Sequence, residues 1–259
     1  MHPGFEFGVS QGVARLTFTR PQTRNALTRA TCRALHGVLA GLAGDSSCRL
    51  FVMQGSGGSF MAGADIAELN LLRGDRAELI GMYRELRATQ ELLYGLAPPT
   101  LALIDGFCLG AGLSFALACD LRVATPRSEF GASPARIGLL YSPTEVLRLA
   151  LRVGTARARD LLFTGRRVTA EEALRLGLIE RLATEDGLEA ALAELSAQVG
   201  SCSPASLRKT KSQLLKLERA MGADLGDESE AEEAFFESDA AEGILAFLER
   251  RPALFKESP

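Results

Sequence analysis

The stretch IDGFCLGAGLSFALACD, residues 104–120, decides how the chain reads. A short apolar run gives way to small residues around Gly110, then to a helix-like run, and LRVAT (121–125) follows as another strand. The same order occurs upstream. CRLFVMQG (48–55) is a buried strand running into glycines, and GSGGSFMAGADIAEL (55–69) passes through AGAD into an amphipathic helix that begins near Asp65. Strand–helix–strand alternation of this kind argues an α/β fold with parallel strand pairing.

Working outward, VARLTFTR (13–20) alternates like a strand and stops at Pro21, and residues 30–43 show helical spacing. A long helical pattern over 76–96 is halted by Pro98-Pro99, before the strand TLALID. After Tyr141 the pattern becomes helix after helix: AEEALRLGLIERL, EAALAELSAQV, ASLRKTKSQLLKLERAM and EGILAFLERRPALF all space apolar residues by three and four. The acidic stretch GDESEAEEAFFE (226–237) carries Phe235 and Phe236 on a helical pattern. The chain therefore divides into an α/β core over 1–200 and a helical C-terminal region over 201–259.

Bulk properties remove several function classes. A net charge of −3, with basic and acidic residues interleaved, offers no polyanion groove, so no nucleic-acid partner is expected. The most apolar stretch, 101–118, is broken by Asp105 and glycines and reads as buried strand, turn and helix rather than a bilayer span. The first residues lack a basic start and an apolar run, so a soluble cytoplasmic protein is expected. Five cysteines without a CxxC pair read as free thiols of a reducing compartment. With only His2 and His36, a zinc site or a Ser-His-Asp triad is not expected; His36 reads as a helix-surface or packing residue.

Two strand–turn–helix segments carry the chemistry. Each places unsatisfied backbone N–H groups at a helix N-terminus, near Ala64 and near Ala111. Small residues there also simply let helices pack close to strands. Together, however, two such turns can aim two donors at one oxygen, an oxyanion hole in which each donor is typically worth about 3 kcal/mol in the transition state. Nucleotide loops fit less well, because GxxxxGK[ST] is absent and Phe115 stands where a dinucleotide fingerprint needs its third glycine.

RPQTRNAL (20–27), SFMAGADIAEL, the GFCLGAG turn and FGASPARIGL, in this order and spacing, resemble the crotonase family, the enoyl-CoA hydratase/isomerase superfamily. LLFTGRRVTAEEALRLGLIERL and the terminal EGILAFLERRPALF extend the resemblance over nearly the whole chain. It implies a spiral of ββα turns with a helical C-terminal region, assembled as a homotrimer or hexamer. It also implies an acyl-CoA substrate and no separate cofactor. The thioester carbonyl would be polarised by the N–H groups of Ala64 and Ala111, so that an enolate can form. The family usually has glycine at the second position; alanine keeps the N–H.

The third wall departs from the family. From Phe130 through Thr144 there is no Asp, Glu, His, Lys or Cys. Hydratases of the family use two glutamates, and the matching positions here are Ser114 and Pro134. Isomerases commonly keep the second, and other members use an aspartate where this chain has Ser142. Neither serine nor proline replaces a carboxylate base near neutral pH. Glu145 is the nearest acid, and Ser142-Pro143-Thr144-Glu145 reads as a capping box. Ser133-Pro134 followed by Tyr141 is similar to the methylmalonyl-CoA decarboxylase branch, where a Thr-Pro pair and a tyrosine line the acyl pocket. That branch can carry a histidine at the first oxyanion position, where this chain has Ala64.

Decarboxylation needs no base, since loss of CO2 creates the enolate directly. In this reading Ser133 orients the carboxylate, and Tyr141 positions it or helps protonate the carbanion. The resemblance further implies Arg24 near the CoA phosphates, with Ala26, Ala62, Asp65, Ile66 and the Gly110 turn around the nucleotide and pantetheine. Asp65 is equally read as a helix-start charge, and Arg250, Arg251 and Lys256 as surface charges within reach of a phosphate. Three functions remain open: a lyase acting on a malonyl-type thioester, a hydratase or isomerase recruiting Glu145, and a noncatalytic CoA-thioester binder.

Overall fold

The structure is a computed structural model that describes residue 2, residues 4–222, residue 232 and residues 239–255 of the 259. The expected helical pattern around Phe235 and Phe236, and Lys256, lie outside the described residues.

Among the described residues, ten strands form two sheets. The larger has the order β1-β2-β3-β5-β7-β10 and the smaller the order β4-β6-β8-β9. The large sheet comprises β1 (Phe5–Ser10), β2 (Val13–Phe18), β3 (Leu50–Gly55), β5 (Thr100–Ile104), β7 (Leu121–Ala124) and β10 (Arg181–Leu182). The small one comprises β4 (Ser59–Met61), β6 (Phe107–Leu109), β8 (Glu129–Gly131) and β9 (Arg167–Thr169). Between them run α1 (Arg29–Ala43), α2 (Ile66–Leu72), α3 (Arg76–Tyr94), α4 (Ala111–Ala118), α5 (Pro143–Val153), α6 (Thr155–Thr164) and α7 (Ala170–Leu176). The chain continues through α8 (Leu188–Ser201), α9 (Pro204–Met221) and α10 (Ala240–Glu249).

Three strands of the large sheet each hand on to a short strand of the small one and then to helix: β3-β4-α2, β5-β6-α4, β7-β8-α5. These are successive ββα turns of a spiral, the α/β architecture expected. The expected parallel pairing holds except at two places. β1 pairs antiparallel with β2 through the two-residue turn Gln11-Gly12, both at positive φ, and β9 pairs antiparallel with β8. FEFGVS alternates weakly in sequence because its outer residues are exposed on an edge strand. The segment LIERL, expected to continue a helix, instead supplies β10 after a glycine C-cap at Gly177.

α4 is apolar all round and buried from Gly112 to Ala118, as a helix passing through a core must be. Its C-terminal end is held by Arg122, whose fully buried guanidinium donates to the carbonyls of Ala116 (3.2 Å), Cys119 (2.8 Å) and Leu178 (2.9 Å) and pairs with Glu180. Cys32, Cys48, Cys108 and Cys119 are buried free thiols, and Cys202 is an exposed one. His36 stands exposed on α1, its Nδ1 3.3 Å from the Thr89 hydroxyl, as the helix-surface reading has it. No helix among the described residues is long and apolar enough to cross a membrane.

α10 docks back on the core. A Cβ on Gly243 would lie 2.3 Å from the Ile137 carbonyl, so only glycine admits this contact. Ile244 packs with Leu69 of α2 and with Leu79 and Met82 of α3. The helical C-terminal region thus contributes to the site described next.

Candidate active site

The first wall is the turn after β4. Leu27 N–H donates to the Gly63 carbonyl (2.8 Å) and Asp65 N–H donates to the Leu27 carbonyl (2.9 Å), an isolated parallel bridge centred on Ala64. In such a bridge the flanking residues make the bonds, and the Ala64 N–H points to the opposite side. The second wall is the turn after β6. Gly110 N–H donates to the Gly131 carbonyl (2.9 Å), and Gly110 adopts φ 52°, ψ −123°, a conformation open to glycine. Ala111 then begins α4, where its N–H is among the four without an intrahelical partner. The turns touch: a Cβ on Gly63 would lie 3.7 Å from the Ala111 nitrogen. Ala62, Ala64, Ile66, Gly110 and Ala111 all line one cavity of about 410 Å³.

The rest of that cavity is mostly apolar, from Leu79, Met82 and Leu86 of α3, Ile137 and Leu139 of the third wall, and Phe247 of α10. Its polar side chains include Ser133, Tyr141, Tyr83 and Glu145, with Arg136, Arg167 and Arg251 also on the lining. Pro134 opens a short 3-10 turn, Pro134–Ile137, that carries the third wall.

Several assigned roles change once the side chains are placed. Ser114 is buried and does not belong to the cavity lining; its hydroxyl turns back to the Gly110 carbonyl at 3.4 Å. Tyr141 lines the cavity, but its hydroxyl donates to the same carbonyl at 2.8 Å rather than standing free for a carbanion or a carboxylate. Burial, with the Glu145 carboxylate adding, holds that phenol well above its ordinary range. Burial likewise pushes Tyr83 up to about 12. Glu145 caps α5 as read: its carboxylate accepts from Ser142 N–H (2.8 Å), Ser142 Oγ (3.0 Å) and Gln90 Nε2 (3.3 Å).

Of the residues read as CoA-binding, Ala62, Ile66 and Gly110 line the cavity, while Arg24, Ala26 and Asp65 do not. Arg24 lies over the Phe107 ring at 4.4 Å, and Arg167 faces the same ring at 5.6 Å. Ala26 offers its carbonyl to Arg20 (2.7 Å). Asp65 caps α2, accepting from Glu68 N–H, and pairs with Arg20 at 3.0 Å, which bears out the helix-start reading. Arg250 ends α10 in a left-handed conformation, and Arg251 is ion-paired with Glu242 and Glu249. Among the described residues no group of three His, Cys, Asp or Glu could hold a metal ion.

Sequence reading missed the α3 and α10 walls and Arg136 and Arg167. The spacing Leu79, Met82, Tyr83, Leu86 marks an apolar helix face, but periodicity does not distinguish a face on a core from a face on a cavity.

Comparison with known proteins agrees with this architecture. The family model described as enoyl-CoA hydratase/isomerase matches residues 8–258. A short-chain-enoyl-CoA hydratase of Clostridium acetobutylicum is 31% identical over 250 residues, 92% of each chain. The enoyl-CoA hydratase domain-containing protein 2, mitochondrial, of Bos taurus is 33% identical over 254 residues, 94% of this chain and 84% of its own. A crystal structure of an enoyl-CoA hydratase from Mycobacterium avium subsp. paratuberculosis superposes with a TM-score of 0.85 at 27% identity, covering 98% of this chain and 99% of that one. With its ββα spiral and paired turns, the chain belongs to the enoyl-CoA hydratase/isomerase family, the crotonase superfamily.

Proposed function

We propose that the protein binds an acyl-CoA thioester with its carbonyl oxygen between the N–H groups of Ala64 and Ala111, and that it decarboxylates a malonyl-type acyl group. The observation that carries this reading is the state of the acids. Among the described residues, Glu145 is the only carboxylate on the cavity lining, and three donors already hold it in a helix cap. Abstraction of an α-proton requires a base in reach. Cleavage of the carbon–carboxylate bond does not: its electron pair enters the thioester as the enolate, CO2 departs, and the two N–H groups take the developing charge on oxygen. Ser133, on the lining, orients the carboxylate. Water protonates the enolate carbon, since the Tyr141 hydroxyl is engaged elsewhere. The chemistry uses no cofactor beyond the CoA of the substrate.

A second reading is a hydratase or isomerase in which Glu145 moves the proton. Its support is the position of Glu145 on the lining and the names of the relatives. A third is a noncatalytic CoA-thioester binder. Incubation with methylmalonyl-CoA and with crotonyl-CoA, followed by product mass, separates the three. Loss of CO2 from the first without hydration of the second is the expected result. Hydration of crotonyl-CoA alone would overturn the lyase reading, and saturable binding without turnover of either would leave a binder.

The same reading includes a homo-oligomer. Leu214, Leu217 and Met221 stand exposed on α9 at spacings of three and four, an apolar stripe suited to a second copy of the chain. Light scattering at micromolar concentration tests it, and a monomeric mass would overturn it.

A further inference from the structure

Three donors converge on the carbonyl of Gly110. Tyr141 Oη reaches it at 2.8 Å, Ser114 N at 3.1 Å and Ser114 Oγ at 3.4 Å. The Ser114 amide bond is the ordinary first bond of α4. The other two come from side chains, one of them thirty-one residues along the chain. This carbonyl belongs to the peptide unit whose N–H is that of Ala111, the second of the two donors facing the cavity.

The two ends of an amide are conjugated. A donor on the oxygen draws electron density out of the C–N bond and makes the N–H a stronger donor, an effect of about 10–30% per bond in a chain of hydrogen bonds. Orientation matters as much. Gly110, at φ 52° and ψ −123°, is outside helical geometry, so the helix that follows holds the Gly110–Ala111 peptide plane only through the Ser114 N–H bond. The Tyr141 hydroxyl, from a distant segment, adds a second hold. The phenol is also held far above its ordinary range, so it remains a donor throughout the neutral range.

We infer that Tyr141, assisted by the Ser114 hydroxyl, is a positioning residue that locks and polarises the Gly110–Ala111 peptide and so sets the strength of the second oxyanion donor. Tyr141 then acts on the thioester through the backbone, without touching the acyl carboxylate or the carbon that is protonated. The inference rests on the enolate-stabilising reading given above. It also gives the serine that replaces a family glutamate a role behind the site, since Ser114 is off the cavity lining.

The test is infrared difference spectroscopy of butyryl-CoA carrying 13C at its thioester carbonyl, bound to the full chain, with calorimetric affinities for butyryl-CoA and for free CoA. Wild-type protein should move the carbonyl band to lower frequency than in water. Tyr141→Phe should give back about 10–30% or more of that shift, with free-CoA affinity unchanged. Ser114→Ala should give back a smaller part, and it carries the test if Tyr141→Phe loses its melting transition. A loss of butyryl-CoA affinity with free-CoA affinity retained would also support the inference. The full wild-type shift in both variants, or an equal loss of both affinities, would overturn it while leaving the oxyanion reading intact. No band shift in the wild-type complex would instead overturn the oxyanion reading itself.

Discussion

Ser142 and Glu145 hold each other across the first turn of α5. The serine N–H donates to the glutamate carboxylate at 2.8 Å, and the serine hydroxyl accepts from the glutamate N–H at 3.3 Å. Pro143 at the first helical position leaves no further amide to satisfy there. Among the described residues, the one acid on the cavity lining is therefore already a structural acid, which is why the proposed reaction is one that begins without a protein base.

Separating those two roles takes two substitutions. Glutamine at this position can complete a capping box, so Glu145→Gln should melt close to wild type and should retain turnover of a malonyl-type thioester. Glu145→Ala removes the glutamate half of the capping box and leaves the buried Ser142 N–H without its acceptor, costing about 1–2 kcal/mol. Thermal melts and CO2 release on both variants check this. A large rate loss in Glu145→Gln at unchanged Tm would move Glu145 into the chemistry.

At the other end of α4, Arg122 fastens the C-terminus of the helix whose first residue is Ala111. Arg122→Met would take the guanidinium from Glu180, which keeps the backbone N–H of residue 122, and from the buried carbonyls of Cys119 and Leu178, while Ala116 keeps the Cys119 N–H. The Glu180 side chain is 32% exposed and partly solvated, so the main loss is at the buried carbonyls, where an acceptor deprived of its donor costs about 1–3 kcal/mol. Urea denaturation should show a lowered midpoint of that order, and a midpoint within error of wild type would refute it.

Much of this was legible in the residues, for definite reasons. The turns at Ala64 and Ala111 follow apolar strands and contain glycines that admit unusual φ, so their position along the chain is written locally. The capping box at Ser142 is likewise a four-residue signal, and the structure has it. Tyr141 and Ser114 were picked out, but not their common target, because which carbonyl a hydroxyl meets depends on how distant segments pack. The wall from α10 was unreadable for the same reason: Gly243 looks like a helix-weakening residue until Ile137 is placed against it. The edge strand β1 hid because one face of it sees solvent.

Acid should loosen the contact between α1 and α3. Glu85 on α3 accepts paired bonds from Arg29 and from Arg33, all between 2.8 and 2.9 Å. These bonds, Arg29 first, pull its carboxyl from 4.5 down to about 2. A lowered folded-state pKa means that its stabilisation is complete above about pH 4.5 and is lost as pH falls toward about 2. Glu85→Gln should therefore be less stable than wild type at neutral pH, and the gap should close across that acid window. Urea midpoints at a series of pH values measure it, and a gap that stays constant down to pH 2 would show that it does not come from the ionised carboxylate.

The docking of α10 gives the last prediction. Because a Cβ on Gly243 would meet the Ile137 carbonyl at 2.3 Å, Gly243→Val has no room unless α10 moves. Overpacking of this kind costs about 1–3 kcal/mol, and here it falls on the helix that carries Ala246 and Phe247 into the cavity wall. The main core lies elsewhere, so the variant should remain folded, with near-wild-type circular dichroism. Its affinity for butyryl-CoA should fall about tenfold, the equivalent of about 1.4 kcal/mol. In the proposed complex this wall encloses the acyl chain, which free CoA lacks, so the affinity for free CoA should fall less. Equal losses for both ligands would show that α10 supports the CoA end of the site, and unchanged affinity for both would show that it does not close the acyl cavity at all.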